Sequence, residues 1–314
     1  MLKYTRIIYW SENDMMNIFA GINNDKADKL VLVDGENTKN GSFYGPYFAS
    51  TELNENLLHQ TVLVYPYNES NTCVANDAKT EYTIGMTIPA VQQYAVGTFA
   101  NGAYPMVGVT QTPKEIVVNT KNVNAAIVIP LKGNVAISKI ILSAEKPLAG
   151  PATVKASYGS APVATITPET ASNTVELVCE GGVQLNTQTA TEFHISFAPC
   201  DCPVDATIYA TDGTYMVLRG ALPSNDGKFD SNDYVVMPVV EYAQTGDQKE
   251  DLKTAFSKGG VFTLHSDLTI PYHVHLESKN VTVDLNGYTL TCTADLTGTA
   301  ACFKINKADL RFMN

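Results

Sequence analysis

Few side chains in this sequence are spaced for chemistry. His273-Val274-His275 puts two imidazoles at i and i+2, on one face of a strand, and His265 lies on the strand-like unit before them. Three such ligands can hold Zn²⁺ or Cu²⁺. No carboxylate or thiol stands at a recognisable ligand spacing beside them, so exposed polar positions on a strand explain them better, and neither a metal nor another cofactor is expected. Asn225-Asp226-Gly227-Lys228-Phe229-Asp230-Ser231-Asn232-Asp233 is rich in the oxygen ligands that Ca²⁺ takes, but it lacks the register of an EF-hand loop and reads as a solvated connection. Cleavage of a polysaccharide needs a base or paired carboxylates at a fixed separation. Asp284, Asp295, Lys304, Lys307 and Arg311 are the groups at hand near the C-terminus, and Asp284 precedes a turn that its carboxylate can cap. Tyr44, Tyr47 and Phe48, in the turn-rich run Phe43 to Phe48, can form a platform for a glycan, since rings stack on apolar sugar faces, but core or rim packing in a sandwich is the favoured reading because aromatics are mostly buried in such folds.

Cys73, Cys179, Cys292 and Cys302 are isolated, and Cys200-Asp201-Cys202 is too close for a zinc ribbon or a thioredoxin-type pair. Reduced thiols buried in strands are expected, with a Cys292 to Cys302 disulfide as the alternative. The chain has no G-x-S-x-G, no H-E-x-x-H, no phosphate loop and no dinucleotide fingerprint, which favours binding over catalysis. Its 314 residues carry a formal charge of −11, and a field of that sign repels phosphates and anionic headgroups, so nucleic acid and membrane surfaces are excluded as partners. No stretch approaches the roughly 20 apolar residues that span a bilayer. Met1 to Arg6 offers no apolar leader, which implies either a cytoplasmic protein or a chain lacking its targeting segment.

The elements that must position these groups are strands. Apolar residues alternate with polar ones in Tyr82 to Ile88 and in Phe193-His194-Ile195-Ser196-Phe197, the period of a half-buried strand. Asp34-Gly35, Asp212-Gly213 and Asn286-Gly287 supply turns that need positive φ. Three segments follow from composition: an aromatic-rich block over 1–116, a Val/Ile/Ala/Thr block over 117–243, and a C-terminal unit reached through a polar joint at 244–250. In that unit Leu252, Ala255 and Phe256 share one face of a short helix stopped by Gly259-Gly260. Strand-like units then recur about every 20 residues, at Val261 to Leu264, Val281 to Leu285 and Cys302 to Phe312, as in stacked coils. The expected coil is short and truncated.

The pieces Tyr104-Pro105-Met106-Val107-Gly108, Lys121 to Gly133, Ile137 to Ser143 and Leu148 to Val154, with the opening Trp10-Ser11-Glu12-Asn13-Asp14 and Ile18-Phe19, resemble the fimbrillin-like (Mfa-like) surface proteins of Bacteroides-type bacteria over about residues 4–243. The resemblance implies an all-β chain of two tandem transthyretin-like β-sandwiches. It also implies export as a lipoprotein to the outer membrane and a role at the cell surface as pilus subunit, tip adhesin or anchor, joined to like subunits by strand complementation. The stretch from Gly259 to Leu290 looks like the capping helix and first rungs of a right-handed parallel β-helix of the pectate-lyase-like class. Together these give a non-enzymatic adhesin or fimbrial subunit that displays a β-helix module toward glycan or host matrix. The alternative is a carbohydrate-active enzyme, a lyase or hydrolase with its catalytic β-helix cut short.

Overall fold

The computed structural model of the chain describes residues 9–19, 28–45, 60–113, 117–220, 228–295 and 301–314. The alternation in Glu81–Ile88 is realised: Tyr82, Ile84, Met86 and Ile88 point inward and the intervening residues outward. The strand pairs antiparallel with Gly150–Ser157, which alternates in step, from Glu81 opposite Ser157 to Ile88 opposite Gly150. A one-residue slip would turn every inward side chain to solvent, so the register follows from burial. With Thr72–Ala75 and Val163–Ile166 at its edges, this pair makes a four-stranded sheet. It packs on a six-stranded sheet ordered Thr120–Asn122, Met106–Val109, Val62–Tyr65, Met15–Phe19, Asp28–Asp34, Ser42–Tyr44. Phe19, Val62, Val64, Val107, Ile84 and Val154 meet in the core between the two.

A second sandwich lies alongside. Its larger sheet runs Gly246–Asp247, Thr214–Leu218, Val204–Ala210, Ala136–Ala144, Thr174–Gln184, Val91–Ala95, Thr98–Phe99. The smaller sheet centres on Ala125–Lys132, which pairs antiparallel with Thr191–Phe197 and parallel with Tyr234–Val236 and Val240–Glu241. Ile127, Ile129, Phe193, Ile195, Phe197 and Ile140 are among the residues that fill the space between the sheets. The expectation of a half-buried strand at Phe193 to Phe197 needs correction, because His194 and Ser196 are buried too. Residues 98–104 lie across the outer face of the smaller sheet, where Phe99 and Tyr104 pack with Ala126, Val128 and Tyr234. Ser196 is satisfied there: its Oγ donates to the Ala103 carbonyl, its N–H donates to Gln92 Oε1 at 3.1 Å, and Asn124 Nδ2 donates to its Oγ at 3.1 Å.

A boundary at 116/117 passes through three of these sheets, since Thr120–Asn122 also bonds to Met106–Val109. Glu81–Ile88 bonds to Gly150–Ser157, and Val91–Ala95 bonds in parallel to Thr174–Gln184. Each sandwich therefore takes strands from both sides of that point.

The C-terminal unit is a parallel coil with three faces. Gly260–Thr263, Asn280–Asp284 and Asp309–Met313 stack on one face, Leu268–Ile270 on Leu290–Cys292 on the second, and Val274–Glu277 on Phe303–Asn306 on the third. Cys302 to Ile305 and Leu310 to Phe312, grouped as one unit from the sequence, thus fall on two faces. The helix is longer than its apolar pattern suggested, Gln248–Lys258: Asp247 caps it by accepting from Lys249 N–H, and Gly259 ends it at φ 84°. Leu252 and Phe256 close the end of the coil over Leu264, Leu276 and Val281. Asn286 adopts φ 48°, the left-handed turn foreseen for it, and its Nδ2 donates to the Leu264 carbonyl on the rung below.

Both cysteine alternatives are realised, at different places. Cys292 and Cys302 are joined by a disulfide, Cα atoms 6.4 Å apart, while Cys73, Cys179, Cys200 and Cys202 are free and buried. Burial pushes the Cys73, Cys179 and Cys200 thiols up to about 12. At neutral pH they carry almost no thiolate, the reactive form. A disulfide-exchange reagent at pH 7.5 should find no thiol in the folded chain and four in urea; a fast-reacting thiol in the folded chain would refute the burial of these four.

Candidate ligand-binding site

The structure does not gather the sequence-predicted residues into one place. His265 is half-buried and stacks on Tyr209 of the larger sheet, ring centroids 4.6 Å apart. His273 Nδ1 lies 2.8 Å from the Ala301 carbonyl, and exposed His275 stands beside Lys304 on the next rung, a cation that opposes a metal. Among the described residues no group of three or more His, Cys, Asp or Glu is placed to hold a metal ion. Asp284 Oδ1 accepts from Asn286 N–H at 3.0 Å, a turn-capping role. Of the loop over 225–233, residues 225–227 lie outside the described residues; Asp233 Oδ2 accepts from Asp230 N–H at 3.0 Å, closing a turn. Tyr44 is exposed on the edge strand Ser42–Tyr44, whereas Tyr47 and Phe48 lie outside the described residues.

Other aromatics of the first block do converge. A cleft of about 210 Å³ opens between residues 9–14 and 98–106, with the edge strand Thr120–Asn122 beside it. Trp10 is set by backbone bonds to the neighbouring loop, its N–H donating to Thr38 O at 2.9 Å and its carbonyl accepting from Asn37 N–H at 2.8 Å. Its ring meets Phe43 and Tyr65 edge-on, with centroids at 4.9 and 5.6 Å. Gly41 makes this approach possible, because a Cβ there would stand 2.8 Å from Trp10, Leu32 and Phe43. Opposite, buried Tyr104 stacks on Phe99 with centroids 4.5 Å apart.

Polar groups are interleaved with these rings. Asp14 accepts from Tyr65 Oη at 2.7 Å and from Ser11 N–H at 2.7 Å, and Tyr65 Oη accepts in turn from Gly102 N–H at 2.8 Å. Burial raises the Asp14 carboxyl above its ordinary value in spite of the two donors, and burial raises the Tyr65 phenol as well, with the Asp14 charge adding to it. Asn101 Nδ2 donates to Glu12 O at 3.3 Å, tying the two walls together. Tyr104 and Asn122 belong to the cleft wall, but Tyr104 Oη and Asn122 Oδ1 are closed off from solvent behind it and have no hydrogen-bond partner. Leaving such an atom unpaired costs about 1–3 kcal/mol. Burial also raises the Tyr104 phenol, so it keeps its proton and remains a donor. The aromatic composition of this block is visible in the sequence; the convergence of Asp14 and Asn122 on it is not, since they reach it from opposite ends of the six-stranded sheet's chain segments.

A second polar cluster sits where the coil meets the larger sheet. Lys139 is 1% exposed, donates from Nζ to Glu176 Oε1 at 2.8 Å and lies 4.5 Å from the Tyr288 ring centroid. The joint at 244–250 is anchored, not free: Gly246–Asp247 pairs with Thr214–Leu218, and Gln248 is buried, donating to Ser266 Oγ and accepting from His265 N–H at 2.9 Å each. Burial first, and Lys139 second, lower the His265 pKa from its ordinary 6.5, with Glu176 and Asp284 opposing. The folded state therefore binds the His265 proton less readily than the unfolded chain does, and stability falls with pH from about 6.5 downward. The urea midpoint is expected to drop between pH 7 and pH 5.5, and His265→Gln to flatten that drop; an unchanged pH profile in His265→Gln would assign the dependence elsewhere.

No family model matches the chain, and no curated protein matches its sequence. Among solved structures, a proposed cell adhesion protein from Bacteroides uniformis is similar over 76% of this chain and 90% of its own, at 14% identity and TM-score 0.43. A proposed cell adhesion protein from Bacteroides fragilis is similar over 77% and 84%, at 10% identity and TM-score 0.37. A fimbrial protein from Bacteroides ovatus is similar over 75% of this chain and 46% of its own, at 9% identity and TM-score 0.29. At these TM-scores the likenesses decide neither family nor activity. The chain is nearly all β.

Proposed function

We propose that the chain is a non-enzymatic surface protein of the fimbrillin-like kind, acting outside the cell by adhesion and by assembly with like subunits. The carrying observation is the cleft beside Trp10 and Tyr104: a preformed hollow on β-structure, lined by aromatic rings and polar side chains. Such a site suits recognition of a ligand, because it sets ring faces and polar side chains around a hollow on a fixed frame. On this reading the sandwiches, of transthyretin-like type and linked to neighbours by strand complementation, carry the adhesive site. The coil is a module of the right-handed β-helix kind, held against them through Lys139, Tyr288 and His265. The sequence resemblance to fimbrillin-like proteins agrees with that role, and placing the chain at the outer membrane follows from the same resemblance. Beads coated with the full chain are expected to be retained under flow on epithelial cells or extracellular matrix, and a polymer ladder that survives mild denaturant is expected where subunits assemble. Release of new reducing ends or unsaturated sugars from a polysaccharide, with no retention of beads, would replace this reading with an enzymatic one.

A further inference from the structure

We propose that Asn40-Gly41 is a site of self-modification, where the asparagine converts to aspartate and isoaspartate and thereby alters the aromatic wall of the cleft. The reaction needs no ligand and is independent of the adhesive reading. The Gly41 backbone nitrogen, once hydroxide has taken its proton, attacks Asn40 Cγ. The new C–N bond closes a succinimide ring, and the Cγ–Nδ2 bond breaks, with Nδ2 leaving as ammonia. Water then adds to either ring carbonyl and opens the ring, giving aspartate or, where the chain now runs through Cγ, isoaspartate. Asparagine and water are consumed, and a carboxylic acid and ammonia are formed. Glycine is the favourable second residue because it has no side chain to crowd the attack.

Asn-Gly steps occur at 40–41, 101–102 and 286–287, and the structure separates them. Asn101 Nδ2 donates to Glu12 O at 3.3 Å, and the Gly102 N–H donates to Tyr65 Oη at 2.8 Å. Asn286 Nδ2 donates to Leu264 O at 3.2 Å, and the Gly287 N–H donates to Asn314 Oδ1 at 2.9 Å. Leaving group and nucleophile are thus both held at those steps. Asn40 is exposed, and among the described residues neither its side chain nor the Gly41 N–H has a hydrogen-bond partner. Thr38 Oγ1 donates to Asn40 O at 2.7 Å, the carbonyl of the peptide whose nitrogen attacks, and so stabilises the nitrogen anion. The position bears on the cleft. Asn40 follows Lys39, a cleft residue, and a Cβ on Gly41 would stand 2.8 Å from Trp10, Leu32 and Phe43. Aspartate puts a negative charge beside Lys39. Isoaspartate adds a methylene to the backbone just before Gly41 and displaces it against those three side chains.

The chain contains one tryptophan, Trp10, so tryptophan emission reports on this wall. The full chain is to be held at pH 8.5, folded and in urea, and sampled over days by peptide mapping with fragmentation that tells aspartate from isoaspartate. In the folded chain Asn40 is expected to convert about tenfold faster than Asn101 or Asn286, since each of those must first give up two hydrogen bonds. In urea the three rates are expected to converge. The emission of the folded chain is expected to drift in step with the Asn40 product. Asn40→Gln, whose longer side chain closes a ring far less readily, is expected to abolish the drift. Asn101 or Asn286 converting as fast as Asn40 in the folded chain would overturn the assignment, as would an intact Asn40 beside a urea sample converted at all three steps. Conversion at Asn40 with constant emission would keep the site and overturn its effect on the cleft.

Discussion

Residues 1–116 expressed alone are expected to remain unfolded. That segment contains Glu81–Ile88 but not its partner Gly150–Ser157, so Tyr82, Ile84 and Met86 would lose the neighbouring strand and the cover of Val154 and Ala156. Burial of one large apolar side chain contributes about 1.5–3 kcal/mol. Exposing two or three of them outweighs much of the 5–15 kcal/mol by which whole domains are stable. Residues 117–243 alone face the mirror-image deficit, because Val91–Ala95, Thr98–Phe99 and the Gln92 bonds to Ser196 lie in the other piece. Residues 1–243 as one chain are expected to fold. Circular dichroism and urea titration of the three fragments check this, and a cooperative transition in residues 1–116 by themselves would contradict the strand exchange between the sandwiches.

Lys139→Ala is expected to destabilise the protein by about 3 kcal/mol. Removing one member of a buried ion pair leaves the other unpaired and costs about 3–5 kcal/mol. The lower end applies because Glu176 is 27% exposed and recovers some hydration. The same change strips the cation from Tyr288, so the coil should loosen on the sheet before the sandwiches unfold. Lys139→Met keeps the stem that fills this contact and should recover stability only in part, since Glu176 still lacks its partner. The checks are urea midpoints and amide exchange in Gln248–Lys258. A Lys139→Ala protein with unchanged midpoint and unchanged exchange in that helix would show that the ion pair does not hold the joint.

The strand content, the short helix and the stacked C-terminal units were legible because each rests on a local period: two along Tyr82 to Ile88, 3.6 along Leu252, Ala255 and Phe256, and about 20 from rung to rung. The candidate site was legible only as composition. An aromatic-rich block pointed to ring stacking, and Tyr44, Tyr47 and Phe48 were the obvious run, but the rings that converge are Tyr9, Trp10, Tyr65, Phe99 and Tyr104, which no local pattern connects. No local pattern marks Lys139 for burial. A bulge between Ile137 and Lys139 and the coil lying over that face make it one of the most buried residues in the chain.

Local sequence thus establishes that this polypeptide is built of pleated strands with a terminal coil, because hydrophobic period and turn chemistry act over a few residues. Which strands share a sheet, which sheet face is covered twice, and which rings enclose a cleft depend on contacts between residues far apart in the chain. Glu81 with Ser157, Gln92 with Ser196 and Lys139 with Tyr288 are such contacts. Backbone pairing is nearly indifferent to side-chain identity, so many partners satisfy the same alternating strand, and the choice among them is made by packing over the whole molecule.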